Sequence, residues 1–308
     1  MLKENLISGI EEVEKIARAS RFERMLSNPF KYALAILFRK FFYSRTEKEI
    51  EVISKTFFNA DMNILLPSST DIYLAGGKSH DSEIRLAKFL IKNLNTNDTF
   101  IDVGAHYGYF SLLASTLVGV KGKIIAFEAA PATFRILEKN KSKTNNVQTY
   151  NFAVSDTNNE VLFFEFPNLY SEYNTLDANQ FENQKWFDKS KAKKLKIKAV
   201  TLDEFLLQKN YRPKIIKIDV EGAEFKVLNG ANKYLQHNSP IIVMEYLSDT
   251  RGNKSHIRAE RLLKSLGFSA CMINNQGAPK TVNDIGRYFK INKIESDNIV
   301  FVKNKNGN

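Results

Sequence analysis

Cysteine is nearly absent from this chain. Among 308 residues only Cys271 carries a thiol, which excludes an intrachain disulfide and a zinc site made of several cysteines. A single thiol suits a reducing compartment, so we expect a cytoplasmic protein. His80, His237 and His256 lack the spacing of metal ligands, and no His-Glu-x-x-His motif occurs. We therefore expect no bound metal.

Long apolar runs are also missing. Residues 1–20 carry several glutamates and no extended apolar segment, so a secretory signal is not predicted. The most apolar early stretch begins at Phe30 and ends at Tyr43, and Lys31, Arg39 and Lys40 interrupt it. A membrane-spanning helix needs roughly 20 apolar residues, so we expect none here.

Basic residues, in contrast, are in excess. The chain has 45 Lys and Arg against 34 Asp and Glu, a formal charge of +11 that would attract nucleic acid, anionic lipid or phosphorylated substrates. Its 43% of hydrophobic residues allows a packed core. The length predicts one catalytic domain, residues 81–308, preceded by a helical and β-hairpin extension, residues 1–80.

Two helices are predicted in residues 1–45. The first is amphipathic through Ile7, Ile10 and Val13, and the second opens at Asn28-Pro29, because proline is favoured in a first turn. From Phe30 to Tyr43 the second helix mixes bulky apolar and basic residues, as helices at membrane surfaces do. Two interpretations stay open. The helix contacts the inner face of a membrane peripherally, or it packs against protein, either the catalytic domain or another subunit of a homo-oligomer.

Short β-rich runs follow at 52–53, 63–66 and 72–74, and they predict a hairpin or meander. Asp81 or Ser82 then caps a predicted helix that reaches about Leu94.

Beyond residue 98 strands and helices alternate, which implies parallel strands with right-handed crossovers. The fold class is α/β: a Rossmann-like, mostly parallel seven-stranded sheet with helices on both faces. Two late strands, 268–273 and 298–302, are predicted as an antiparallel edge pair. Residues 155–213 form an insertion with a strand at 160–166, a Lys-rich stretch at 185–198 and a short helix after Thr201.

A glycine-containing turn closes the first strand of this alternation, with the pattern Asp102-x-Gly104-x-x-x-Gly108. Glycines allow a tight turn and close approach to a ligand, and open α/β sheets bind ligands at the carboxyl ends of their strands. Neither Gly-x-Gly-x-x-Gly nor Gly-x-x-x-x-Gly-Lys-Ser/Thr is present, so a dinucleotide or a phosphate is less well supported than a nucleoside.

An acidic residue, Glu128, ends the second strand. There it can accept hydrogen bonds from both ribose hydroxyls of an adenosine group. The alternative is that Glu128 caps the helix that begins near Pro131.

Three further acids follow the fourth strand, in the run Asp219-Val220-Glu221-Gly222-Ala223-Glu224. Carboxylates this close repel one another, which suggests that they are used as a base, as ligands of a cation or to orient a hydroxyl. The alternative is that Glu221 and Glu224 stabilise a helix amino terminus.

Taken together, these segments resemble the FkbM family of methyltransferases. The matching segments span about residues 100–245 and occur in the family order: 100–111, 127–131, 153–156, 201–204 and 217–224. The resemblance implies a class I methyltransferase that uses S-adenosyl-L-methionine. It also implies O-methylation, commonly of hydroxyls on sugars or on polyketide-type products.

The resemblance also implies the site residues. The cofactor-binding set comprises Asp102, Gly104, Ala105, His106, Gly108, Glu128, Ala129, Ser155, Asp156 and Asp219. The catalytic set comprises Asp219, as base or hydroxyl-orienting group, with Glu221, Glu245 and His106. Relatives often carry Asn at the position of His106, which is a candidate proton acceptor or a hydrogen-bonding group near the cofactor. Glu83 resembles an acidic position of the family.

The predicted acceptor is a saccharide or another hydroxyl-bearing compound, such as a glycolipid in cell-surface polysaccharide synthesis. A natural product or RNA is the alternative acceptor, although the chain lacks both the Asn/Asp-Pro-Pro-Tyr signature of amino-group methylases and a Cys beside Pro. Nucleic acid is therefore not favoured. A non-enzymatic alternative is a membrane-binding module with a disused cofactor pocket, but the intact acids at 102, 128 and 219 argue against it.

Overall fold

The computed structural model describes residues 1–176 and 192–303. Its helices are α1 (Leu2–Arg18), α2 (Arg21–Ser27), α3 (Pro29–Leu37), α4 (Ser44–Thr46), α5 (Thr70–Ala75), α6 (Asp81–Asn93), α7 (Tyr109–Val118), α8 (Pro131–Lys141), α9 (Leu202–Lys209), α10 (Glu224–Asn229), α11 (Asn232–His237), α12 (Lys254–Ser265) and α13 (Ile285–Asn292). Its strands are β1 (Ile50–Lys55), β2 (Asp61–Leu66), β3 (Thr99–Val103), β4 (Lys123–Phe127), β5 (Val147–Tyr150), β6 (Ala153–Val154), β7 (Glu160–Glu165), β8 (Lys193–Val200), β9 (Ile215–Ile218), β10 (Ile241–Leu247), β11 (Phe268–Ile273), β12 (Pro279–Thr281) and β13 (Ser296–Lys303).

The central sheet has the strand order β12-β11-β13-β10-β9-β3-β4-β5. The five strands from β10 to β5 are parallel, and β13 runs antiparallel between β10 and β11. The predicted mostly parallel sheet is confirmed. The eighth strand, β12, was not predicted, because its three residues are all exposed and lack an apolar pattern.

Helices cover both faces of this sheet. On one face α1, α6 and α7 contribute Ile10, Leu90 and Leu113 to a buried cluster that also contains Ile124 and Ile215 of the sheet. On the other face α9 to α13 pack against the alternate strand residues, including Ile101 and Ile216. Strands covered on both faces are mostly apolar, as the fully buried β9 shows with three isoleucines and a single lysine, Lys217.

The amino-terminal extension agrees with the sequence in part. Helix α1 buries Leu6, Ile10 and Val13, and the Asn28 side chain caps α3 by accepting from Lys31 N. Helix α2 was not predicted, although Ser20 and Glu23 form a capping box at its start.

Three short runs were predicted as strands, and this is correct for 52–53 and 63–66, which lie in β1 and β2 and pair as a hairpin. It is wrong for 72–74, which belong to helix α5, where Ile72 is buried in the core. A run of three β-favouring residues is weak evidence, and tertiary packing overrides it.

Residues 30–43 continue as one helical segment: α3 passes into a π-helical stretch, Phe38–Tyr43. Among the described residues, no helix combines the length and the apolar character needed to cross a membrane.

The insertion forms a separate small sheet with the strand order β6-β8-β7. The predicted strand at 160–166 is confirmed as β7, and the predicted helix after Thr201 is confirmed as α9. The Lys-rich stretch 185–198 falls partly outside the described residues, and its last part belongs to β8.

Candidate active site

A cavity of about 360 Å³ lies where β3, β4, β9 and β10 end. This volume is in the range of ligand pockets, and the position is where open α/β sheets bind ligands. Seven of the predicted residues line it: Gly104, His106, Glu128, Ala129, Asp219, Glu221 and Glu245.

The glycine turn brings two strand ends together. Gly104 has φ +78°, and a Cβ atom there would lie 1.8 Å from the Asp219 carbonyl oxygen. Gly108 has φ +88° and precedes α7, where a Cβ would lie 2.6 Å from Leu137 Cδ1. The first glycine is therefore required for the contact between the two loops that carry the site.

Asp102 lies beneath the cavity and is buried. Its Oδ2 accepts a hydrogen bond from Ser111 Oγ at 2.7 Å, and its Oδ1 lies 3.3 Å from Lys217 Nζ. Burial raises the pKa of Asp102, although Lys217 opposes the shift. Asp102 does not line the cavity; it contacts Lys217, which in turn contacts Asp219 in the cavity.

Lys217 is a functional residue that the sequence analysis missed. It is buried in β9, and its Nζ lies 3.1 Å from Asp219 Oδ2 and 3.4 Å from the Gly104 carbonyl oxygen. Burial would lower the pKa of Lys217, but Asp219 and Asp102 outweigh it and raise the pKa. A lysine within an otherwise apolar strand could have identified it from sequence, because a buried lysine almost always has a charged partner.

Glu128 lines the cavity with its carboxylate held by backbone. Its Oε2 accepts from His106 N at 2.8 Å and its Oε1 accepts from Ala130 N at 2.9 Å. Burial raises the pKa of Glu128 to about 7. The bond to Ala130 at the start of α8 agrees with the capping alternative, but each oxygen keeps a second lone pair for a ligand.

Three carboxylates meet on the wall of the cavity. One oxygen each from Asp219, Glu221 and Glu245 lies within 4.8 Å of the others. Burial and the neighbouring carboxylates raise the pKa values of Glu221 and Glu245 well above their usual range. Burial acts in the same direction on Asp219, but Lys217 and Lys78 overcome it and lower its pKa. Asp219 is thus the acid of this group that stays ionised.

His106 adopts a left-handed backbone conformation, φ +52°, and its Nε2 lies 2.9 Å from Ser171 Oγ. Burial, followed by the positive charge of Lys78, lowers the pKa of His106 to about 3. The imidazole is therefore neutral at physiological pH and is held by a hydrogen bond.

A charged group from the segment before β3 completes the cavity wall. Lys78 Nζ lies 2.5 Å from Glu83 Oε1 and 3.8 Å from Glu172 Oε1. Glu83 could be selected from sequence, but Lys78 and Glu172 could not, because no local pattern connects two residues so far apart in the chain.

Ser155 and Asp156 were predicted to bind the cofactor, but they do not line the cavity. Ser155 N donates to the Val200 carbonyl oxygen, and Ser155 Oγ donates to Asp156 Oδ1 at 3.2 Å. The pairing of β6 with β8 turns them away, and Phe152, Ala153 and Val154 line the cavity in their place. Ala105 and Gly108 likewise shape the turn behind the main cavity.

The sheet order and the site at its carboxyl edge define a class I methyltransferase fold. A sequence model described as the Methyltransferase FkbM domain matches residues 102–270. Because this match covers more than half of the chain, the chain belongs to the FkbM family of methyltransferases, as the sequence resemblance predicted.

Curated relatives include "Methyltransferase 1" of Beauveria bassiana, 28% identical over 210 residues that cover 64% of this chain and 82% of that protein. Another is "Hexuronic acid methyltransferase AglP" of Haloferax volcanii, 27% identical over 158 residues, with 51% and 59% covered. Among solved structures, the FkbM methyltransferase of Methylobacillus flagellatus has a TM-score of 0.40 at 11% identity, with 76% of this chain and 52% of that chain covered.

Proposed function

We propose that this chain transfers the methyl group of S-adenosylmethionine to a hydroxyl oxygen of a saccharide-type acceptor. The observation that carries the proposal is the meeting of Asp219, Glu221 and Glu245 in the same cavity as Glu128. Methyl transfer to oxygen needs alignment of the reacting groups and a group that takes up the hydroxyl proton.

The residues at the carboxyl ends of β3 and β4 fit an adenosine group. The Glu128 carboxylate has lone pairs for the ribose hydroxyls, and Phe152, Val154 and Phe163 offer apolar surface in the same cavity. When bound there, S-adenosylmethionine supplies an electrophilic methyl group on a positively charged sulfur.

The ionised carboxylate of Asp219 acts on the methyl acceptor. Asp219, kept ionised by Lys217, accepts a hydrogen bond from the attacking hydroxyl and orients it. Asp219 is also the ionised carboxylate of the three, so it takes up the proton released as the oxygen attacks. His106 is neutral and holds Ser171, which favours a positioning role over proton transfer.

A saccharide is supported by one relative and by the cavity lining. The Haloferax volcanii relative is named as a hexuronic acid methyltransferase. Polar groups such as Lys78, Asn174 and Asn298 face the cavity and suit an acceptor with many hydroxyls. The lining offers little attraction for RNA phosphates, because it has only two Lys or Arg side chains, Lys78 and Arg251, beside six carboxyl side chains: Glu83, Glu128, Glu172, Asp219, Glu221 and Glu245.

Incubation with methyl-labelled S-adenosylmethionine and an extract of the native organism tests the proposal. The extract is separated into lipid-linked glycan, small-molecule and RNA fractions, and Asp219→Asn serves as the inactive control. We expect label in a saccharide fraction that survives mild alkali, because a methyl ether is stable there and a methyl ester is not. Alkali-labile label would indicate a carboxylate acceptor, and label in RNA would overturn the proposal.

A further inference from the structure

The segment 21–43 exposes an unusual concentration of large apolar side chains. We call it the N-terminal apolar surface, and its side chains are between 38% and 87% exposed: Phe22, Met25, Leu26, Phe30, Leu34, Ile36, Leu37, Phe41 and Phe42. Within α3, Ala35 is buried, whereas Phe30 is 87% exposed. In the rest of the described chain, apart from Met1 and Leu2 at the amino terminus, the large exposed apolar side chains are far apart in the sequence: Ile53, Val120, Leu162, Leu207 and Ile291. Contiguous apolar exposure of this kind marks an interaction site.

The charge of the same segment is strongly one-sided. Residues 20–46 contain six basic side chains and one acidic side chain, Glu23. Glu23 forms part of the capping box of α2, where its Oε2 accepts a hydrogen bond from Ser20 N at 2.7 Å. Arg39 and Lys40 are exposed beside Phe41 and Phe42. Whatever covers this surface must therefore be apolar and carry negative charge.

We propose that the N-terminal apolar surface docks on the headgroup region of an anionic lipid membrane. Bulky apolar side chains enter the interface there, while the basic side chains meet anionic headgroups. A second copy of the chain is a poorer occupant, because a twofold contact brings the same patch of both copies together and would oppose two surfaces of the same positive charge.

Hydrogen bonds connect the surface to the active-site cavity through α5. Lys31 Nζ donates to the Tyr73 carbonyl oxygen at 3.3 Å, and Tyr73 lies in α5, whose Asp71 accepts from Ser79 N next to Lys78. Lys78 lines the cavity. Docking would hold the cavity close to the lipid surface.

Vesicle flotation of the full chain tests the docking without any methyl acceptor, so its outcome is independent of the proposed reaction. Vesicles of phosphatidylcholine alone are compared with vesicles that also contain phosphatidylglycerol. We expect flotation with the anionic vesicles at low salt, and loss of flotation at about 1 M salt, where exposed charges are screened.

Two double variants separate the contributions of basic and apolar side chains to vesicle binding. Arg39→Glu/Lys40→Glu should lower the partition coefficient at least about tenfold, since each basic residue near the surface contributes about fivefold. Phe30→Ser/Leu37→Ser should reduce binding also at low salt. The matched controls are Lys121→Glu/Lys209→Glu and Val120→Ser/Leu207→Ser, which change exposed residues elsewhere and should float like the unmodified chain.

The proposal is overturned if the full chain stays unbound with anionic vesicles at low salt. It is also overturned if the control variants lose binding as much as the surface variants do, because binding would then follow net charge alone. A dimer seen by light scattering that Phe30→Ser/Leu37→Ser dissociates, together with absence of flotation, would assign the surface to a second copy.

Discussion

The ammonium group of Lys217 lies 3.1 Å from the Asp219 carboxylate; Lys217 belongs to β9, and Asp219 directly follows the end of that strand at the cavity. The same ammonium also compensates the buried charge of Asp102, 3.3 Å away. One lysine thus contacts two of the acids predicted from sequence and opposes the rise in pKa that burial causes in each.

Replacing Lys217 by Met should destabilise the fold by about 3 kcal/mol or more, because it leaves a buried carboxylate without its partner. Most of the loss comes from Asp102, since the Asp219 side chain is 34% exposed and partly screened by water. Urea denaturation measures the free energy of unfolding. Lys217→Met/Asp102→Asn should recover part of the loss, and the surface change Lys209→Met should stay within about 0.5 kcal/mol. A double variant less stable than Lys217→Met would contradict the pairing.

Replacing Asp219 by Asn should lower turnover at least about 100-fold, the usual scale for loss of a group that handles the proton, and leave cofactor affinity nearly unchanged. Asn keeps the shape but cannot hold the negative charge opposite Lys217. Steady-state kinetics and calorimetric titration with S-adenosylhomocysteine give the two quantities. Turnover equal to that of the unmodified chain would transfer the role to Glu221 or His106.

Replacing Glu128 by Ala should weaken cofactor binding by about 1.5 to 3 kcal/mol, through loss of charge-assisted hydrogen bonds. The exposed Glu160→Ala is the matched control. The pH dependence gives a second check: the pKa of Glu128 is about 7, and the ionised form accepts the ribose hydrogen bonds. Affinity should therefore fall about tenfold from about pH 8 to about pH 6 as the carboxylate takes up its proton. Calorimetry that finds equal affinity for the Ala variant and the unmodified chain would remove Glu128 from the site.

Replacing His106 by Asn should keep turnover within about tenfold, because a neutral, hydrogen-bonded imidazole is not the proton acceptor. Asn is also one of the residues that tolerate the left-handed conformation found there. The pH profile of kcat/KM should keep its shape in the variant. A profile that loses its acidic limb together with most of the turnover would make His106 the base.

Addition of a chelator should have little effect on turnover, because no bound metal is expected from the sequence. The carboxylates of Asp219, Glu221 and Glu245 are close enough to share an ion, but Lys217 already supplies positive charge at Asp219. Turnover with EDTA, followed by addition of magnesium, measures this. Strong inhibition that magnesium reverses would show that the three acids hold a metal.

The main fold and the acids of the site could be predicted from sequence because both are encoded by local patterns. Parallel strands covered on both faces are mostly apolar, as Ile215–Ile218 is apart from Lys217, and they alternate with amphipathic helices. Gly104 could be selected because a tight turn at a strand end needs glycine. Glu128 and Asp219 could be selected because they directly follow strands whose carboxyl ends meet at one edge.

Other features depend on contacts between residues that are far apart in the chain, and only the tertiary structure decides them. Residues 72–74 belong to a helix in which Ile72 is buried in the core. Ser155 lies outside the cavity lining, and its backbone N–H bonds to the Val200 carbonyl oxygen. The low pKa of His106 follows from burial beside Lys78, and the ionised state of Asp219 follows from Lys217. Sequence alone thus determined which residues stand at the edge of the sheet. Their protonation and roles depend on burial and on charges brought near by folding, since the free energy of an ion depends on its surroundings in space.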